Sequence, residues 1–180
     1  MIPSSVASFN AADSQLNPRA LPFDVERVTA RLTEAMLSEE LVDRESNLPD
    51  PNAVETLLKE LLPFGFLRWG AGSYRATFEH KNGFVVKVPV SPLYEWMIHK
   101  ELDLLKRVSA EDRQYFPDTV LLGEAVVLQS LWTPDFRRFF QERDEIERVA
   151  RRLEIDDVMP DNVGWKESRF VFLDWAGEKR

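Results

Sequence analysis

Apolar side chains recur at helical spacing in two segments near the start of the chain, residues 22–42 and 52–62. The apolar stripes consist of Phe23, Val25, Val28, Leu32, Met36 and Leu37 in the first segment, and of Val54, Leu57, Leu58 and Leu61 in the second. Asp50-Pro51-Asn52 is typical of a helix start and Pro63-Phe64-Gly65 of a helix end. We therefore predict an N-terminal helical extension over residues 22–63. Its apolar faces either pack on the domain that follows or form an exposed groove for a partner.

Short strand-like segments follow the extension. Residues 67–78 have the pattern of a strand, a glycine-rich turn and a second strand. Asn82-Gly83 is a strong signal for a two-residue hairpin before a third strand at 84–88. Two further apolar segments, 119–122 and 125–131, read as another hairpin. Together these segments predict a small antiparallel sheet.

Helical periodicity returns after Pro92 and again over residues 135–154. The two predicted stripes are Leu93, Trp96, Met97, Leu102, Leu104 and Leu105, and then Phe136, Phe139, Phe140, Ile146, Val149 and Leu153. Apolar runs at 163–165 and 169–173 surround a polar turn at 166–168 and predict a final hairpin. The predicted fold class is α+β, a small antiparallel sheet plus helices.

Composition excludes several functional classes. With 180 residues, 44% of them hydrophobic, the chain can bury one substantial core, divided between two small lobes around a cleft. The absence of cysteine excludes disulfides and thiol chemistry. Only His80, in the predicted hairpin turn, and His99, in a predicted helix, could supply imidazole to zinc, and we expect both to be surface or packing residues. A net charge of −8 argues against a nucleic-acid partner, and no apolar stretch is long enough to predict a transmembrane helix.

The first residues of the chain have a different composition from the rest. Residues 1–21 are rich in Ser, Ala, Asn and Pro, and we predict that this leader is disordered. Residues 1–12 contain no charged side chain, which is compatible with an address for a bacterial type III secretion system. An ordinary disordered terminus is the alternative.

The polar residues with the most distinctive spacing are Asp157, Asn162 and Asp174. They stand at the two ends of the predicted hairpin 163–173, so both carboxylates could face one cleft. Asp157 can orient or deprotonate an attacking hydroxyl group, while Asn162 and Asp174 offer the hard oxygen ligands that Mg²⁺ prefers beside nucleotide phosphates. This pattern indicates magnesium-dependent phosphoryl transfer.

These three residues, with the segment that contains them, resemble the catalytic loop and metal-binding motif of the protein-kinase superfamily. The upstream segments are similar to further motifs of that family, in the same order. Gly70, Gly72, Ser73 and Arg75 stand in its phosphate-binding loop. The resemblance implies that Lys87, in the sequence Val85-Val86-Lys87-Val88, binds the α- and β-phosphates of ATP.

The resemblance also assigns roles to residues of the predicted helix and of the connecting segment. It implies that Glu101 pairs with Lys87 and orients it. It further implies that the backbone of residues 129–131, from Gln129 to Leu131, hydrogen-bonds the adenine base. The cofactors implied are ATP and Mg²⁺, and the predicted kinase-like core comprises residues 64–180. The resemblance thus refines the predicted fold to a minimal bilobal protein kinase.

The sequence departs from the family pattern at several positions. Arg75 replaces the third glycine of the nucleotide loop, so it either contacts a phosphate or faces solvent. Ile155-Asp156 stands where the family has His-Arg, and Met159 replaces a lysine. Only three residues follow Gly177, so we expect no activation segment and a truncated lower lobe.

Several functions remain open on the sequence alone. The first is an active minimal protein kinase that phosphorylates a protein substrate, and the second is a nucleotide-binding pseudokinase that acts as an inhibitor or scaffold. The third is a small-molecule kinase, for which Trp175 after the metal aspartate is a hint. An unrelated α+β domain is the remaining reading, because each motif residue taken singly also fits a turn or a surface position.

The chain also resembles, more narrowly, the HopBF type of minimal bacterial effector kinases, through its small size, its uncharged leader and its end just after the metal-binding aspartate. This resemblance implies a cytoplasmic type of fold that a type III system secretes into the host cytosol. It implies a host protein as the partner, a chaperone of the ninety-kilodalton heat-shock class.

Overall fold

A six-stranded antiparallel sheet organises the first of two compact units in this computed structural model, which describes residues 7–8 and 21–175. The first unit comprises the described residues up to Trp96 together with Asp118–Leu131. Its elements are β1 (Ala7–Ser8), α1 (Val25–Leu37), α2 (Pro51–Leu61), β2 (Phe66–Ala71), β3 (Arg75–His80), β4 (Phe84–Pro89), β5 (Thr119–Leu122) and β6 (Val126–Ser130). The sheet order is β1-β5-β6-β4-β3-β2, and each neighbouring pair is antiparallel.

Both N-terminal helices begin at an aspartate cap. The Asp24 carboxylate accepts a hydrogen bond from the Arg27 N–H group, and the Asp50 carboxylate accepts one from the Asn52 N–H group. Pro51 occupies the first helical turn, where its missing N–H group leaves no donor unsatisfied. The two helices thus form within the predicted extension, and each is shorter than or shifted from its predicted segment by a few residues.

One face of the sheet forms the apolar core of the first unit. Strand alternation places Phe78, Val86 and Leu128 on the same face, since these residues are directly opposite one another on β3, β4 and β6. The helices cover this face with fully buried side chains that include Val28, Leu32, Val54 and Leu57. The helical extension is therefore part of the same hydrophobic core as the sheet.

The opposite face of the sheet carries buried polar side chains. Four polar residues alternate along their strands with the core residues, so they lie on the other face: Arg75, Lys87, Thr119 and Gln129. Their exposed fractions are only 4%, 6%, 1% and 1%, respectively. Burying two cations and an amide is costly unless each group has a partner, whether inside the protein or in a ligand. We call the surface defined by these four residues the polar face.

The second unit comprises Met97–Pro117 and the described residues from Trp132 onward. Its elements are α3 (Glu95–Arg107, which belongs to this unit from Met97), β7 (Thr133–Pro134), α4 (Phe136–Gln141), α5 (Arg143–Leu153), β8 (Val163–Lys166) and β9 (Arg169–Phe172). The three strands form a sheet in the order β7-β8-β9. Its core includes an aromatic cluster of Phe116, Trp165, Phe170, Phe172 and Trp175.

A close approach inside this unit requires glycine at position 164. A Cβ atom on Gly164 would lie 2.7 Å from the Trp132 Cβ and 3.1 Å from the methyl groups of Leu173. The hairpin and the segment before β7 can pack this tightly because no side chain separates them.

The structure differs from the sequence prediction over residues 135–154. A single helix was expected there, but the helix is interrupted at Glu142 and forms α4 and α5. Phe139 is buried as predicted, whereas Phe136 and Phe140 are 58% and 64% exposed. Residues at i, i+3 and i+4 share one helix face, so the spacing of the three phenylalanines does not forbid their joint burial. The six-residue α4 buries only Phe139 of the three, and the predicted stripe was therefore too wide.

The stripe predicted after Pro92 is also only partly buried. Met97, Leu102 and Leu105 are buried in α3, while Leu93 and Trp96 are exposed. His80, predicted to lie in the hairpin turn, instead ends β3, where it is a packing residue with 1% exposure.

Most of the predicted leader, residues 1–21, lies outside the described residues, as do Ala176 and Gly177. Within the leader, β1 pairs with β5, and Leu21 packs against the core of the first unit. In the part of the chain that the structure describes, no helix has the length and apolar character needed to cross a membrane. The sequence has no cysteine, so the protein forms no disulfides.

Candidate active site

The segment that carries Asp157 follows directly from the end of α5. Glu154 adopts the left-handed conformation, with φ of 58°, and terminates the helix. The next N–H group, that of Ile155, donates to the Ala150 carbonyl group at 2.9 Å, and the Ile155 side chain is buried. This anchor fixes the start of the loop, so that Asp156 is exposed while Asp157 is half-buried.

Asp157 and Asn162 are joined by a direct hydrogen bond. The Asn162 Nδ2 group donates to the Asp157 Oδ2 atom at 2.8 Å. Asn162 ends a 3₁₀ turn, Pro160–Asn162, and its N–H group donates to the Met159 carbonyl group at 2.9 Å. The turn therefore folds the loop back on itself, and the amide group holds one oxygen of the carboxylate in place.

The β8–β9 hairpin brings Asp174 to the same place. Val163 pairs with Phe172, and the Leu173 N–H group donates to the Asn162 carbonyl group at 2.8 Å. Asp174 follows at the open end of this hairpin. The pKa of Asp157 is raised, first because burial disfavours its charged form and then because the Asp174 carboxylate lies nearby. The hydrogen bond from Asn162 acts in the opposite direction.

This arrangement fits a divalent cation. The carboxylates of Asp157 and Asp174 repel each other, and a cation would neutralise their charge. The amide of Asn162 offers a further oxygen ligand. Among the described residues no group of three or more acidic or histidine side chains could hold a metal ion. Mg²⁺ commonly takes only one or two carboxylates from the protein and completes its coordination with phosphate oxygens and water. Asp174 and Asn162 are the residues that would hold it.

Trp175 anchors the residue next to Asp174. Its indole Nε1 group donates to the Glu101 carbonyl group at 3.1 Å, and its ring meets the edge of Phe116 at 5.0 Å between centroids. Trp175 is 3% exposed. The sequence suggested this residue only as a hint of substrate class, whereas in the structure it fixes the position of the chain just after the predicted metal ligand.

Lys87 lies at the centre of a row of opposed residues on the polar face. Gly70, Thr77, Lys87 and Val127 are directly opposite one another on β2, β3, β4 and β6. The Thr77 Oγ1 group donates to the Gly70 carbonyl group at 3.1 Å. Gly70 and Thr77 therefore place little side-chain volume on the β2 side of Lys87.

The predicted nucleotide loop is a tight hairpin. The Gly72 N–H group donates to the Arg75 carbonyl group at 3.0 Å, and Gly72 and Ser73 are exposed. The Arg75 side chain is 4% exposed, so it does not face solvent. Its burial contradicts the alternative in which Arg75 faces solvent, and the side chain lies on the same face of the sheet as Lys87.

The segment predicted to bind adenine uses part of its backbone for its own structure. The Ser130 N–H group donates to the Asp118 carbonyl group at 2.9 Å, and the Leu131 N–H group donates to the Gly83 carbonyl group at 2.9 Å. Gln129 lies inside β6, between Val85 and Thr119 of the neighbouring strands. The amide groups of Ser130 and Leu131 are thus already paired.

The predicted residues therefore fall into two groups, one in each compact unit. Asp157, Asn162 and Asp174 converge in the second unit, where the Glu101 side chain is 1% exposed on α3. Lys87, Arg75 and Gln129 share the polar face in the first unit. The sequence missed the side-chain amide of Gln129, although the alternation of β6 places it on the same face as Lys87.

The chain matches no known protein-family model and no curated protein sequence.

Proposed function

We propose that the protein is a phosphotransferase that uses Mg-ATP, a minimal enzyme of the protein-kinase-like type. The observation that carries this proposal is the convergence of Asp157, Asn162 and Asp174 at the open end of one hairpin, with the pKa of Asp157 raised. A carboxylate with a raised pKa is a better proton acceptor than an ordinary aspartate. A second carboxylate and an amide oxygen beside it are ligands suited to Mg²⁺.

In this proposal Asp157 orients the acceptor hydroxyl group and takes its proton as the hydroxyl oxygen attacks the γ-phosphorus atom. The bond from the γ-phosphorus to the bridging oxygen breaks, and ADP leaves. Asn162 keeps the Asp157 carboxylate oriented through the 2.8 Å hydrogen bond. Mg²⁺, when bound, neutralises charge on the phosphate oxygens.

The polar face of the first unit supports the same chemistry. Lys87 and Arg75 supply positive charge in a protein whose net charge is −8. A triphosphate needs such local cations, because the overall charge of the protein repels it. We assign phosphate binding to Lys87 and Arg75.

The acceptor that we propose is a hydroxyl group of a protein. The similarity to HopBF-type effector kinases extends the proposal to a host chaperone and to secretion by a type III system. Both extensions depend on the resemblance alone, and the assignment of site residues does not depend on them.

Transfer of labelled phosphate tests the proposed activity. The full chain, incubated with Mg²⁺ and γ-labelled ATP, is expected to label itself or a protein in a eukaryotic lysate. Asp157→Asn and Asp174→Asn should each lower the rate by on the order of 10²-fold or more. Asp156→Asn is the matched control, because Asp156 is the exposed neighbour of Asp157 and should keep the activity.

Two results would overturn the proposal. If no protein is labelled but Mg-ATP raises the midpoint temperature of thermal unfolding, the protein is a nucleotide-binding scaffold of the pseudokinase type. If neither label nor stabilisation is seen, it is an interaction protein with no nucleotide site. Labelling of small molecules but of no protein would retain phosphoryl transfer and change the substrate class.

A further inference from the structure

The side chain of Gln129 is buried on the polar face with an unsatisfied donor. Gln129 is 1% exposed, and its Nε2 group forms no hydrogen bond with any of the described residues. A buried amide that makes no hydrogen bond carries the full cost of its lost hydration. A leucine or methionine of similar volume would fill this position without that cost, so packing alone does not account for a glutamine.

The neighbours of Gln129 on the sheet show what kind of group it faces. Val85 is directly opposite on β4 and Val127 lies two residues earlier on β6, and neither side chain can accept a hydrogen bond. Thr119, directly opposite on β5, has a hydroxyl group, but no hydrogen bond joins it to the Gln129 Nε2 group. Lys87 is the diagonal neighbour, which places it about 7–8 Å away along the same face.

The backbone of this segment offers few donors to a base. The N–H groups of Ser130 and Leu131 are paired with Asp118 and Gly83, as described above. A base that is recognised here must therefore meet the side chain of Gln129 in addition to any backbone group.

We propose that the carboxamide of Gln129 reads the base of the bound nucleotide and sets a preference for adenine. Adenine presents an acceptor at N7 beside a donor at its N6 amino group, which matches the Nε2 donor and the Oε1 acceptor of a glutamine. Guanine presents two acceptors, N7 and O6, on the same edge, so one of them would face the Oε1 atom. Gln129 is then a specificity-determining residue. This inference rests on the proposed nucleotide binding.

Binding of nucleotide analogues to the full chain tests the inference. Calorimetric titrations with Mg²⁺ would compare ATP, GTP and 7-deaza-ATP, which lacks the N7 acceptor. Wild-type protein is expected to bind ATP at least about tenfold more tightly than either of the other two. In Gln129→Met, which has a similar volume, the affinity for ATP should fall to that for 7-deaza-ATP. Gln114→Met, a change at an exposed glutamine, is the matched control and should leave all three affinities as in the wild type.

The outcomes separate this inference from the proposed function. If wild-type protein binds ATP and 7-deaza-ATP equally, or if Gln129→Met keeps the preference for ATP over GTP, the base-reading role is wrong while nucleotide binding stands. If wild-type protein binds no nucleotide in the presence of Mg²⁺, both proposals fail. The comparison of ATP with 7-deaza-ATP uses unmodified protein, so it remains decisive even if the Gln129 variant does not fold.

Discussion

His80 illustrates how the surroundings of one side chain decide its protonation state. Its ring stacks on Phe84 at 4.2 Å between centroids. The Nδ1 atom accepts a hydrogen bond from the Asn82 N–H group at 3.1 Å, so the proton of the neutral ring lies on Nε2, which donates to the Phe64 carbonyl group at 2.9 Å. A second proton, on Nδ1, would break the contact with Asn82. Burial accordingly lowers the pKa of His80.

This lowered pKa predicts an acid-linked loss of stability. Below the ordinary histidine pKa of about 6.5, the unfolded chain binds a proton that the folded chain resists. The stability that neutral His80 contributes is complete above that pH and is lost as the pH falls through the folded pKa. Urea unfolding at pH 7.5 and pH 5.5 should therefore show a larger loss of unfolding free energy for the wild type than for His80→Phe. His99→Gln, at the exposed histidine, is the control and should behave as the wild type.

An equal loss of stability in the wild type and in His80→Phe would contradict this assignment. The carboxylates would then account for the whole pH dependence, since they titrate alike in both proteins.

At the level of elements, the connection between α1 and α2 holds the segment that leads into α3. Glu39, in the left-handed conformation with φ of 54°, accepts a hydrogen bond from the Ser91 Oγ group at 2.8 Å. Ser91 Oγ in turn accepts one from the Leu93 N–H group at 3.3 Å. The ring of Tyr94 packs on that of Tyr74 at 4.7 Å, in the turn of the glycine-rich hairpin. The extension therefore contacts the 3₁₀ turn Pro92–Tyr94 that precedes α3, and this turn contacts the hairpin.

Removal of the Ser91 hydroxyl group should weaken this connection. Ser91→Ala is expected to lower the free energy of unfolding by about 1 kcal/mol, because the mutation removes a helix cap and leaves the Leu93 N–H group without its acceptor. Glu39→Gln retains an acceptor oxygen and should cost less than Glu39→Ala. Ser168→Ala, in the exposed turn between β8 and β9, serves as the control in chemical denaturation. The role of the Ser91 cap would be refuted by equal stabilities of the Ser91 and Ser168 variants.

At the scale of the whole molecule, periodicity predicted the elements better than it predicted their environments. The α+β class and the hairpins follow from alternating apolar residues and from turn signals such as Asn82-Gly83, which are local properties. Burial at single positions depends on tertiary packing, which a stripe does not specify. Glu101 next to Lys100 has the pattern of a solvated helix surface, yet it is 1% exposed. The polar triad was predictable by spacing, whereas the anchoring by Trp175 required coordinates.

The difference between buried and exposed positions also predicts whether the sheet can fold without the N-terminal helices. Leu32 on α1 is fully buried in the core that includes the sheet, while Leu37 on the same helix is 63% exposed. Leu32→Ala should lower the unfolding free energy by about 2–5 kcal/mol, since it leaves a cavity, and Leu37→Ala should change it by about 0.5 kcal/mol or less.

A chain that begins at residue 64 would expose the apolar face of the sheet and should aggregate, because that face contains Phe78, Val86 and Leu128. Denaturant melts and size-exclusion chromatography measure both effects. If a chain that begins at residue 64 were monomeric and cooperatively folded, the helices would be an independent module and this view of the core would be wrong.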